Sequence, residues 1–137
     1  MAAKFTVEGF DDYFGKLKTL SAGSRVNSIA KMGLYDGADV LADEIKARCP
    51  VDDGDLKASL FISRFTTTDG GCETEIGFAG YDRDGVPNQM KANILESGTS
   101  KKKKHPFVRP AFNAVKNQAQ AAIVATCERE LKKALEE

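Results

Sequence analysis

The chain has 137 residues, 42% of them hydrophobic and 29% charged, with 20 basic against 20 acidic side chains and hence a formal net charge of zero. Such a length and balance suit one globular domain with a packed core, and speak against a disordered segment or a protein drawn to nucleic acid by its overall charge. No apolar run is long enough to cross a bilayer, so no membrane partner is expected, and the start MAAKFTVEGF lacks the basic-then-apolar order of a secretory signal.

The whole of 1–137 reads as a single domain, with 1–23 as an N-terminal helical arm and 24–137 as the core. In residues 8–20, Phe10, Tyr13, Phe14, Leu17 and Leu20 recur at three- and four-residue spacing, which predicts a short helix. Ser21, Ala22 and Gly23 break it. A long helix is then predicted over 24–49, with Ser24 as N-cap and Pro50 as terminator. Its apolar stripe runs Val26, Ile29, Ala30, Gly33, Leu34, Ala38, Leu41, Ala42, Ile45, Cys49. Two mid-helix glycines, Gly33 and Gly37, each cost about 1 kcal/mol relative to Ala, which implies close packing against the domain's own sheet or another copy.

After Pro50, Gly54 marks a turn, and Asp53 or Asp55 is placed to cap a short helical stretch before Leu60. The acids at Asp52, Asp53 and Asp55 do not have calcium-loop spacing, since position twelve falls on Ser63 or Arg64 rather than on a glutamate. Residues 60–67 and 72–79 alternate and are rich in Phe, Ile and Thr, with Asp69, Gly70 and Gly71 between them as a hairpin signal. Cys72, Thr74, Ile76 and Phe78 share one face of the second strand, which suits an antiparallel sheet wet on its other side. Residues 80–89 form an exposed polar loop, and 90–97 suit either a third strand or a short helix.

Residues 94–112, ILESGTSKKKKHPFVRPAF, hold the most distinctive chemistry. Gly98 and Thr99 permit a turn, and Pro106, Phe107 and Pro110 frame a helix start, Pro110 being most comfortable in the first turn. Between them lies an exposed loop, 98–106, with Lys101, Lys102, Lys103 and Lys104. The helix that follows runs to about Leu135, lined by Phe112, Val115, Ala119, Ala122, Ile123, Thr126, Cys127, Leu131 and Ala134. The order of elements points to an α+β fold, in which two long helices and a short N-terminal helix pack on a small antiparallel sheet.

Catalytic chemistry finds little support. The single histidine, His105, sits among lysines without a nearby acid, and no cofactor or metal motif is present. Cys49 and Cys127 fall in apolar helix stripes, where a thiolate is poorly stabilised, so a Cys–His hydrolase is a minor alternative. Gly98, Thr99, Ser100 and Lys101 lack the two-glycine frame of a phosphate loop. The lysine run serves either as a solvated loop or as a neutraliser of phosphates, and no aromatic in it could stack on bases.

Two segments together resemble a family. Glu96, Ser97, Gly98 and Thr99, a polar spacer, and then Pro106, Phe107, Val108, Arg109, Pro110, Ala111 and Phe112 are similar to the gene-product-ten-like neck or tail-completion proteins of tailed bacteriophages, named after a lambdoid coliphage. Pro50 followed by residues 53–59 looks like a second family element, with Asp53 where threonine is usual; Ser97 stands where an aromatic is common. The resemblance spans about residues 25–130. It implies a structural virion protein, made in the host bacterial cytoplasm and located in the neck or tail, without enzymatic turnover or cofactor. The implied partners are identical copies in a ring, the connector or head-closure proteins, the tail-terminator or tail-tube proteins, and packaged DNA through non-specific contact. Lys101, Lys102, Lys103, Lys104 and Arg109 are the expected interaction residues. The alternative from another class is a small non-specific DNA-binding accessory protein using the same lysines.

Overall fold

The computed structural model describes residues 3–6, 23–50, 54–68 and 71–136. The elements are β1 (Ala3–Thr6), α1 (Gly23–Arg48), α2 (Asp55–Ala58), β2 (Leu60–Ile62), β3 (Thr66–Thr68), β4 (Gly71–Phe78), α3 (Asn88–Ser97) and α4 (Val108–Glu136). The helix expected over 8–20 lies outside the described residues. Strand β1, for which the sequence pattern gave no signal, pairs antiparallel with β4, Ala3 opposite Ile76 and Thr6 opposite Glu73. The fold is α+β, as expected.

Helix α1 starts at Gly23, so Ser24 lies inside it rather than capping it. Its predicted stripe is the core: Ile29, Ala30, Leu34, Ala38, Leu41, Ala42, Ile45 and Cys49 are all buried. The close approach implied by the glycines is made neither to the sheet nor to another copy, but to α4. A Cβ on Gly33 would lie 2.5 Å from Cys127 Sγ, and one on Gly37 2.5 Å from Ile123 Cγ1 and 3.1 Å from the Ala119 carbonyl oxygen. As α1 advances from Gly33 to Gly37, its α4 neighbours step back toward Ala119, so the two helices run antiparallel. On its other side α1 meets β2 and β4.

The strand expected over 60–67 is interrupted. Leu60 pairs with Phe78 and Ile62 with Ile76, but Thr66 pairs with Glu73, so residues 63–65 oppose 74 and 75. One extra residue makes a β-bulge. Side chains supply the hydrogen bonds that the ladder loses there. Tyr35 Oη accepts the Phe65 N–H (2.7 Å) and donates to the Ser63 carbonyl (3.2 Å). Thr74 Oγ1 also donates to that carbonyl, and Ser63 Oγ accepts the Glu75 N–H.

Segment 90–97 resolves as helix, within α3. In α4, Phe112 is half exposed, contrary to the predicted stripe, because Ala111 and Val115 take the inward positions and Phe112 points about 100° away from Ala111. Phe107 is buried at the foot of α4, edge-on to Phe78 with ring centroids 5.8 Å apart.

Candidate functional site

A helix beginning at Val108 has backbone N–H groups in its first turn with no partner inside the helix. Here a side chain from the preceding helix meets them. Glu96, in the last turn of α3 and only 7% exposed, accepts the N–H of Phe107 and of Val108 on Oε1 (2.9 Å each) and that of Arg109 on Oε2 (3.0 Å). Pro110 has no N–H to satisfy, and the Ala111 N–H already bonds the Phe107 carbonyl. Every amide of the first turn is therefore matched. A carboxylate at a helix N-terminus also meets the positive end of the helix dipole.

The same clamp shapes the basic loop, because it ties the end of α3 to the start of α4 across residues 98–107. Gly98 takes φ 74 and ψ 176, open in practice to glycine, and its N–H closes α3 on the Ile94 carbonyl. A Cβ there would sit 2.9 Å from the Lys104 nitrogen, so the loop folds back directly over it. Thr99 Oγ1 accepts the N–H groups of Lys101 and Lys102, and the Thr99 N–H bonds the Lys102 carbonyl. His105 donates its N–H to the Leu95 carbonyl at 2.6 Å. The turn is built from backbone and Thr99, leaving the lysine side chains exposed.

Three of those lysines divide between two recesses. Lys102, Lys103 and His105 line a cleft of about 400 Å³ with Pro50, Gly54, Leu56, Lys91, Ile94 and Leu95. Lys104 lines a second, of about 320 Å³, with Glu96, Ser97, Pro106, Arg109, Pro110 and Asn113. The structure thus brings Gly54 to the basic loop, whereas Arg109 belongs to the other side of it. Arg109 joins the clamp through its main chain; its guanidinium is exposed and makes no ion pair among the described residues. Asp55 does not cap α2, whose N-cap is Gly54 at φ 86; it binds Arg83 instead, at 3.2 Å. Asp53 lies outside the described residues.

Sequence reasoning used Glu96 as a family landmark but missed its role as the clamp. It also missed Asp82, which organises the loop before α3 by accepting the N–H groups of Asp84 and Val86 and pairing with Lys91 at 3.1 Å. The Val86 N–H, with Lys91 and Asp84 contributing, holds the Asp82 carboxyl below the usual carboxylate range. The Asp82 signal was legible in principle as an acid placed before a turn.

Burial pushes the thiols of Cys49, Cys72 and Cys127 up, that of Cys127 to about 11. A nucleophilic thiolate needs the opposite. Among the described residues no cluster of His, Cys, Asp or Glu could hold a metal ion, and no helix is long and apolar enough to cross a membrane.

Residues 8–79, just over half of the chain, match the model of the HK97-gp10-like family, described as "Bacteriophage HK97-gp10, putative tail-component". The match covers α1 to β4 and, at its end, most of the sheet, and stops short of the Glu96 clamp. The chain matches no curated protein and no solved structure.

Proposed function

The chain belongs to the HK97-gp10-like family of bacteriophage tail components, and from that premise we propose that it is a virion structural protein of the head–tail junction. Identical copies form a ring that connects the head's portal and connector assembly to the tail, in the role of a neck, head–tail joining or tail-completion protein. Contacts between copies are head-to-tail rather than twofold, as a ring requires. The neighbours are the connector or head-closure proteins on one side and the tail-terminator or tail-tube proteins on the other. The whole chain acts as one domain.

The family match is the observation that carries this reading. The clamp gives it a working surface: Glu96 fixes the basic loop to two helices, so Lys101, Lys102, Lys103 and Lys104 present a preset cationic edge. That edge meets the DNA channel or an acidic surface of the next ring, and Arg109 bridges to a neighbour. No turnover and no cofactor are involved. The raised thiols weigh against the Cys–His alternative.

The test adds purified protein to a lysate of phage lacking it. Wild-type protein restores joined, infectious particles. A variant with all four lysines changed to serine keeps the fold by circular dichroism yet restores few, because the substituted side chains are exposed. Full restoration by that variant sinks the role given to the loop. A second reading, a DNA-binding accessory protein, is favoured by the four lysines lacking ion-pair partners among the described residues. It predicts binding by the isolated monomer that weakens steeply with salt.

A further inference from the structure

The cleft beside the basic loop offers more than charge. Its apolar lining is Pro50, Leu56, Ile94 and Leu95, and its cationic rim is Lys91, Lys102, Lys103 and His105. None of the described lining residues is acidic. Lys91 is paired with Asp82, but Lys102 and Lys103 make no ion pair among the described residues. A phosphate backbone would use the rim and leave the apolar lining idle. A ligand that uses both carries carboxylates next to an aliphatic side chain.

The chain itself has such a segment. At the end of α4, Leu135 is 57% exposed and is followed by Glu136 and, in sequence, Glu137. The nearest lysine upstream, Lys133, is held by Glu130 at 3.4 Å. This tip lies at the opposite end of the molecule from the cleft. Pro50 follows the C-terminus of α1, whereas antiparallel α4 ends beside the N-terminus of α1, 26 residues and about 39 Å away. A subunit cannot fill its own cleft, but its tip can fill the cleft of the next one.

The geometry points to a docking site: the cleft between α2, α3 and the basic loop receives the α4 tip of a second copy. Leu135 seats against Leu56, Ile94 and Leu95, and Glu136 faces Lys102 and Lys103. The contact is heterologous, so repetition gives a closed ring or an open chain according to its angle. For its place in the virion this inference rests on the ring reading above. Only Lys101 and Lys104, with Arg109, then remain for DNA or for another ring.

The test is fluorescence anisotropy of a labelled peptide spanning residues 128–137, titrated with the full-length protein. Binding is expected, weakened at least about tenfold by K102E/K103E in the protein, and likewise by L135A in the peptide. A peptide with E136K/E137K should regain binding to the K102E/K103E protein, a rescue that misfolding cannot imitate. No binding to wild-type protein, or binding indifferent to both Leu135 and the two lysines, overturns the proposal. Rescued peptide binding together with normal particles from phage lacking the protein upholds the docking contact and rejects the ring reading. Normal ring assembly by the K102E/K103E protein does the reverse.

Discussion

Glu96 has no cationic partner within the described residues; three main-chain N–H groups hold its carboxylate instead. Hydrogen bonds to a charged acceptor are each worth about 1.5–3 kcal/mol, and the Phe107 amide left behind would be buried. Glu96→Ala is expected to lower stability by about 3 kcal/mol in urea unfolding. Glu96→Gln should cost about half as much, since the amide keeps one acceptor oxygen but turns an NH₂ toward a donor. Equal stability of all three proteins would contradict the clamp. The acid was visible in the sequence, but its targets lie 11 to 13 residues onward, beyond any local capping rule. Pro110 was the clue, because a first turn that lacks one N–H needs one acceptor fewer.

Cys127 adds a pH dependence. Its thiol ionises near 9.0 when unfolded but is pushed to about 11 in the folded protein, chiefly by burial. The native state therefore keeps the proton longer than the unfolded state. Its contribution to stability is complete below pH 9 and is lost as pH rises toward 11. Melting curves should show a steeper fall over that range for wild type than for Cys127→Ala. Parallel falls would remove this thiol from the account.

At the scale of elements, the contact of α1 with α4 depends on Gly33 and Gly37 lacking a Cβ. Gly37→Ala gains about 1 kcal/mol in helix propensity but forces Ile123 aside, and overpacking typically costs about 1–3 kcal/mol. Net destabilisation of about 1 kcal/mol is expected, turning into stabilisation of up to about 1 kcal/mol in an Ile123→Ala background, where the propensity gain remains and the clash is removed. A double-mutant cycle checks this, and additivity of the two changes would refute the contact. The four-residue glycine spacing announced a close approach from sequence, because apolar periodicity is strong in a 26-residue helix. It could not say what approached, since that depends on where α4 lies. The bulge was illegible for a similar reason: residues 60–67 alternate as a strand does, and the hydroxyl that bends them, on Tyr35, comes from 28 residues upstream. Segment 90–97 is short and amphipathic on either period, so tertiary contacts decide it. One of these is Gln89, whose Oε1 takes the Phe78 N–H.

For the whole molecule, the α+β class followed from the order of periodic segments, and the inner face of β4 is the one read from Cys72, Thr74, Ile76 and Phe78. Function was legible through resemblance rather than through a site. Of the two segments that suggested it, Pro50 with residues 53–59 falls within the part matched by the family model, and residues 96–112 lie outside it. The structure gives that segment a physical reason: acid, glycine, threonine and two prolines are what a clamped loop between two helices needs. The cleft could not be read in advance, since Pro50, Leu56, Ile94 and Lys102 meet only after folding.

The central proposal is that this protein joins the head to the tail. Negative-stain microscopy of phage carrying an amber mutation early in its gene tests that most directly. The account predicts DNA-filled heads and free tails, unjoined and non-infectious. Intact, infectious particles in normal yield would contradict it.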